Sequence, residues 1–345
     1  MARSTAGRSG PKLRADHARR IFDRKIVPVL GPVVPQENPR LLILGGQPGS
    51  GKSVVSGALA DRFAPGRSVT VLDFDMMREF FPDYPGIKAR MGLAGDWFVG
   101  EDAYRWLTMA FDYVAARRGD VIVEHTLDRV AKVVAGFTDT APYRVGVAVM
   151  ATAAADSRLG MMARYQRSLN RLGYGRHPGD DLHDRRDAGL AAALDAFDAD
   201  PAVDQIEVYG RGYPSPLYRN SRDATGGWIH RLSTGEVVTA YRDLPWDAGR
   251  SAAWLALHTE LTGRAGTDWQ RESLARARAE AAPLLDPHVV AEHDRATTLA
   301  AGWEAAAIAA PHPHQGATAP GIGDAEIVPE PPVSGVGLGT DGISL

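Results

Sequence analysis

Eight residues constrain this chain more than any others: Gly46-Gln47-Pro48-Gly49-Ser50-Gly51-Lys52-Ser53. They fit the pattern Gly-x-x-x-x-Gly-Lys-[Ser/Thr] without error. The apolar run Leu41–Leu44 precedes them and reads as a buried strand. Lys52–Phe63 follows, with helical spacing through Val55, Leu59 and Phe63. Between a strand and a helix, glycines let the backbone turn its N–H groups inward around an anion. The helix N-terminus adds partial positive charge at the same point. Gly46, Gln47, Pro48, Gly49, Ser50, Gly51, Lys52 and Ser53 are therefore the expected nucleotide-binding residues. Lys52 is expected to grip the β- and γ-phosphates, and the Ser53 hydroxyl to ligate Mg²⁺. ATP and Mg²⁺ are the bound species this loop implies, but such loops also serve switches, motors and transporters.

The rest of the chain repeats the strand–helix alternation. Val69–Leu72 is a second strand, ended by Asp73 and Asp75. Val121–Val123 is a third, ended by Glu124; Arg144–Met150 and Asp204–Tyr209 are a fourth and fifth. Helical patterns lie between them, the longest over Val99–Arg117. This alternation predicts an α/β fold, a parallel sheet of the P-loop NTPase type covered by helices. An amphipathic helix over 14–27 should lead in and stop at prolines 28, 32, 35 and 39. Leu217–Arg219 and Trp228–Leu232 suggest a small hairpin. The expected organisation is a flexible basic tail over 1–12 and a kinase-type domain over 13–244. A helical extension of two or three helices over 245–309 and a disordered Pro/Gly-rich tail over 310–345 complete it.

Charge and composition remove several function classes. The net charge of −3 offers no sequence-independent grip on nucleic acid or an anionic membrane. With no cysteine, disulfides and Cys-based zinc sites are excluded. No secretory signal and no membrane-spanning run is read, so a cytoplasmic location is expected.

In an open parallel sheet, ligands sit beyond the carboxyl ends of the strands. Asp73, Asp75 and Glu124 should therefore face the γ-phosphate. Asp75, a little past its strand, is the better base to aim an acceptor hydroxyl; Asp73 can hold Mg²⁺ through water or cap the next helix. The segment 154–199 is helical by pattern and dense in arginine, with a break at Gly173-Tyr174-Gly175-Arg176-His177-Pro178-Gly179. An arginine-rich lid there would neutralise the transferring phosphate. Arg164 and Arg176 are the residues expected to do so. Arg158, Arg167, Arg185 and Arg186 read as a solvated helix face, and Arg171 is left open.

These pieces, in order, resemble the zeta toxin family of toxin–antitoxin kinases. Gly45–Ser53 looks like that family's phosphate loop, and Val71-Leu72-Asp73-Phe74-Asp75 like its strand with an Asp-x-Asp end. Val121–Thr126 resembles its strand ending in Glu-Gly-Thr. Ala163-Arg164-Tyr165 resembles its Glu-Arg-Tyr, and Gly175-Arg176-His177-Pro178 with His183-Asp184 its lid. The resemblance spans about residues 40–210. It implies a kinase moving the ATP γ-phosphate to the 3′-hydroxyl of UDP-N-acetylglucosamine. Lys52, Asp75, Arg164 and Arg176 would be catalytic, and Glu124, Thr126 and Asp73 would face the substrate. It also implies a small helical antitoxin as partner. Two positions depart from the family: His125 stands where it commonly has glycine, and Thr108 near a second substrate-contacting glutamate. A kinase of another hydroxylated small molecule, such as an antibiotic or nucleoside, and a non-catalytic ATP-binding regulator are the rival readings.

Overall fold

A computed structural model describes residues 12–127, 130–139, 142–213, 215–231 and 233–309. The expected tails over 1–12 and 310–345 lie outside the described residues except at Lys12. In chain order the elements are α1 (Ala15–Ile21), a π turn (Phe22–Ile26), α2 (Val27–Leu30), β1 (Arg40–Gly45), α3 (Lys52–Phe63) and β2 (Val69–Asp73). Next come α4 (Phe74–Arg78), α5 (Tyr84–Met91), α6 (Ala94–Phe98), α7 (Gly100–Ala115), β3 (Asp120–His125), α8 (Val130–Thr138) and β4 (Arg144–Met150). Then follow α9 (Ala154–Leu172), α10 (Asp180–Ala188), α11 (Leu190–Ala199), β5 (Val203–Tyr209) and β6 (Tyr218–Ser221). The chain ends in α12 (Thr234–Arg242), α13 (Ala248–Gly263), α14 (Asp268–Ala281) and α15 (Pro287–Ala309). Two units are delimited, 1–295 and 296–345.

The sheet runs β2-β3-β1-β4-β5-β6, parallel throughout except for antiparallel β6 at its edge. β1, in the middle, is apolar on both faces because helices cover both. Leu41 and Ile43 enter the larger core with the α7 stripe Ala103, Trp106, Leu107, Ala110 and Val114. Leu42 and Leu44 pack with Val55 and Leu59 of α3 on the other face. The buried Trp106 ring donates its indole N–H to Ala18 O at 2.9 Å and so ties α1 to α7.

Two local expectations are corrected. Pro28 does not stop the entry helix. A π turn runs straight into it, and its wider i→i−5 bonding, as from Val27 N–H to Phe22 O, lets the continuous helix absorb a residue that has no N–H; the chain breaks instead at Gly31, whose φ is 73°. The small hairpin is not separate either. Its first half becomes β6 on the main sheet, where β5 supplies the ladder, and its second half is reduced to an Arg222–Trp228 bridge.

The helices after residue 245 share an apolar cluster with α9. Trp246, Trp254, Leu255, Leu274, Ala277 and Ala281 pack against Ala155, Leu159, Met162 and Ala163. Capping boxes at Ser233/Glu236 and Thr267/Gln270 start α12 and α14, satisfying first-turn N–H groups.

Candidate nucleotide and phosphate-transfer site

The loop after β1 owes its shape to three glycines with positive φ: Gly46 at 146°, Gly49 at 79° and Gly51 at 100°. Close packing adds to the requirement, since a Cβ on Gly49 would stand 2.0 Å from Ser157 O. Lys52 opens α3 and folds back, donating to Gly46 O at 2.8 Å and Gln47 O at 3.1 Å. Its ammonium thus lies along the loop that would wrap the phosphates. The Gln47 side chain turns the other way. Fully buried, it donates to Thr152 O at 2.7 Å and to Ser157 Oγ at 3.2 Å, and Thr152 Oγ1 donates to Ser50 O at 2.9 Å. Gln47 and Ser50 therefore contribute backbone to the loop while their side chains face inward, and Pro48 has no N–H to offer.

The strand register sets the carboxylates side by side. Asp73 pairs with Glu124, and Glu124 with Leu44 just before the loop. Ser53 Oγ donates to Glu124 Oε2 at 3.1 Å. Asp73 caps α4, accepting the Asp75 N–H at 3.0 Å. Asp75 stands two residues on, in the first turn of α4, bonded by Arg78 at 2.6 Å and by Arg164 of α9 at 2.5 Å. Arg176, in the loop after α9, reaches α4's C-cap at Glu79, also at 2.5 Å. Both expected lid arginines thus grip the α4 segment, one on Asp75 and one on Glu79. Thr126 lies partly buried directly after β3.

Electrostatics joins these groups. Burial pushes the Lys52 ammonium down to about 8, against the pull of Glu124, Asp75 and Asp73. Burial, with Asp75 and Glu124 beside it, pushes the Asp73 carboxyl up to about 6. Burial would raise Asp75 as well, but Arg78 and Arg164 outweigh it and hold that carboxyl at about 2. A carboxylate this acidic is a weak proton acceptor and a strong orienting group.

Some expected and unexpected residues take other places. His125 Nδ1 accepts the Leu127 N–H at 2.9 Å, in a turn where Leu127 has a φ of 66°. Thr108 Oγ1 donates back to Tyr104 O along α7 at 3.1 Å. Arg158, expected on a solvated face, is buried instead and bonded to Asp180, Asp184 and Glu280. Sequence reasoning missed Arg78, although its i,i+3 spacing from Asp75 would reveal the pair once α4 is known to be helical. It also missed Arg211, after β5, which donates to Gly49 O at 2.6 Å and Asp156 O at 3.2 Å from outside the loop. No local pattern announces that residue.

The Mg²⁺ expected at Ser53 can be tested on the donor set. Mg²⁺ takes few protein ligands and many waters and phosphate oxygens. The Ser53 hydroxyl with the Glu124 and Asp73 carboxylates at the sheet edge fits that demand. Among the described residues no cluster of three or more His, Asp or Glu side chains forms a metal cage. No helix there is long and apolar enough to cross a membrane.

Comparisons with known proteins bear on the fold and the family. The structure of the PezAT chromosomal toxin–antitoxin system of Streptococcus pneumoniae is similar in fold, at 16% identity and a TM-score of 0.57. The match covers 79% of this chain and 98% of that one. A structure from Chloroflexus aurantiacus shares 16% identity over 44% of this chain and 80% of its own, with a TM-score of 0.34, too low to bear on the fold. No curated protein matches. The family model described as Zeta toxin matches residues 29–223, more than half of the sequence, and the chain belongs to that family.

Proposed function

We propose that this chain is an ATP-dependent kinase that transfers the γ-phosphate to a sugar hydroxyl of a small acceptor, the 3′-hydroxyl of UDP-N-acetylglucosamine being the foremost candidate. The observation that carries the kinase reading is the Asp75–Arg164 pair at the sheet edge, within the electrostatic reach of Lys52. A nucleotide switch needs no such acceptor-facing carboxylate, whereas a kinase must orient a second substrate.

The chain's own groups divide the work. Backbone N–H groups of Gly49–Ser53 and the Lys52 ammonium hold the donor phosphates. Asp75 accepts the hydrogen bond of the acceptor hydroxyl and aims its oxygen at phosphorus. The transition state is loose, so orientation matters more than early deprotonation, and an acidic Asp75 suits that task. Arg164, now on Asp75, is placed to move to the transferring phosphate and neutralise its charge, leaving Asp75 to the acceptor. Arg176 does the same from the loop after α9. Glu124, Thr126 and Asp73 line the acceptor side, Ser53 holds Mg²⁺, and Mg²⁺ supplies charge neutralisation of the donor phosphates when bound. A small helical antitoxin blocking nucleotide entry would be the natural partner of such an enzyme.

The test is incubation of the purified chain with ATP, Mg²⁺ and a panel of sugar nucleotides, nucleosides and hydroxylated antibiotics, read by mass spectrometry. UDP-N-acetylglucosamine 3′-phosphate is the expected product. Transfer only to another hydroxyl overturns the acceptor and leaves the kinase. ATP turnover that needs no acceptor and ignores Asp75→Ala overturns the kinase itself.

A further inference from the structure

The helix α14 lies outside the segment matched by the family, yet it touches the chain neighbours of both Arg164 and Arg176. Trp269 packs edge-on against Tyr165, with centroids 5.2 Å apart, and tilted against His177 at 5.1 Å. Tyr165 directly follows Arg164, and His177 directly follows Arg176. One indole thus holds the position next to each arginine.

The contact continues down the helix. Trp269, Ser273, Arg276 and Glu280 are spaced four, three and four residues apart, so they form one stripe of α14. Ser273 Oγ donates to Asp180 Oδ1 at 3.0 Å, and Arg276 bonds Asp184 at 2.6 Å. Glu280 takes the buried Arg158 in a forked pair at 3.0 and 2.7 Å. Arg158 in turn bonds Asp180 and Asp184. Every partner on the far side belongs to α9, α10 or the loop between them. That loop is tight in itself: a Cβ on Gly175 would come within 1.9 Å of the Tyr165 ring, and Gly179 donates to His177 Nδ1 at 3.1 Å.

We infer that α14 is a built-in brace that presets the backbone positions from which the two arginine side chains reach the transferring phosphate, with Trp269 as the positioning residue. The loop after α9 is then a clamped segment, and the extension beyond the family domain tunes transfer from a distance. This rests on the kinase reading only for its catalytic consequence; the clamping itself stands on the contacts.

Full-length wild type, Trp269→Ala, Trp269→Phe and Ser273→Ala test it by hydrogen–deuterium exchange and by phosphotransfer kinetics. Trp269→Ala should speed exchange over 173–179 by about tenfold or more while α3 and the central strands keep their protection. The transfer kcat should fall roughly 10- to 100-fold with the KM for ATP within about twofold, since misplacing a positioning group by about 1 Å has that effect. Trp269→Phe should restore most of both. Ser273→Ala, which removes only one hydroxyl, should loosen 179–184 alone and keeps the test alive if Trp269→Ala unfolds the chain. Unchanged local exchange in both alanine variants overturns the brace. Faster local exchange with unchanged kcat overturns the positioning role. If wild type transfers no phosphate, the kinase reading has failed, and the exchange results still decide the brace.

Discussion

The phosphate loop and the arginine-bearing segment after β4 both approach the acidic strand ends but aim their charges differently. The loop's inner face is set locally: the bonds of Lys52 span only five or six residues, and its glycine angles are local, while Thr152, Ser157 and Arg211 hold its outer side from more than 100 residues away. The lid is held by strangers. Arg164 meets Asp75 across 89 residues, Arg176 meets Glu79 across 97, and Arg158 meets Glu280 across 122. A site can thus have one half whose chemical group is aimed by its own loop, and another whose charged groups are aimed only by partners brought from elsewhere in the unit. Substitutions in the first half should damage chemistry with little loss of stability. In the second half the two effects should mix.

The hardest blow to that contrast comes from Lys52→Ala. It should lower phosphate transfer about 1,000-fold or more, while the urea midpoint stays close to that of wild type. In wild type, nucleotide affinity should also weaken as pH rises past about 8, because the empty site's ammonium then loses its proton; ATP titrations at pH 7 and 9 read this. A large loss of stability in Lys52→Ala would mean that the loop depends on its lysine for folding.

Asp75→Asn sharpens the other half. Transfer should fall roughly 100- to 1,000-fold, with nucleotide affinity within a few-fold of wild type, measured by acceptor phosphorylation beside binding of a non-hydrolysable ATP analogue. Equal loss of binding would place Asp75 in the donor half.

Arg158→Ala should cost about 3 kcal/mol of stability by denaturant unfolding, because it strands Asp180 and Glu280 as uncompensated acids. The exposed Arg167→Ala, on the same helix, should change it by less than about 0.5 kcal/mol. Similar values would remove the distinction between brace and surface.

The smallest effect concerns Asp73. Its folded carboxyl is raised to about 6 from an ordinary 3.8, so the folded state favours the protonated form. This burden is absent below about pH 4, grows as pH rises through 4 to 6 and is full above. Asp73→Asn keeps an acceptor for the Asp75 N–H. It should stabilise the chain by on the order of 1 kcal/mol at pH 8 and not at pH 4. Urea midpoints at the two pH values check this.

Much of this site was legible beforehand for a physical reason that varies by residue. Lys52, Ser53, Asp73, Asp75 and Glu124 could be placed because strand ends and a loop–helix junction are local features, and a parallel sheet brings its carboxyl ends together automatically. Arg164 and Arg176 could be named, but their partners could not. Arg158 was misjudged because nothing within a turn of it hints at Glu280. Arg211 went unseen because its acceptors, Gly49 O and Asp156 O, are backbone atoms far along the chain. The hairpin failed for the same reason, since β6 found its ladder on β5.

The sequence by itself determined the alternating strands and helices, the phosphate loop and the acidic strand ends, since each follows from periodicity, glycine freedom and the dipole of one helix. Only the tertiary structure decided which arginines meet the acids after β2 and which are buried, and that the C-terminal helices pack on α9 and α10. A guanidinium far from any partner in sequence is uncommitted until burial removes its water, and then the nearest carboxylates, from wherever the chain has brought them, settle its place.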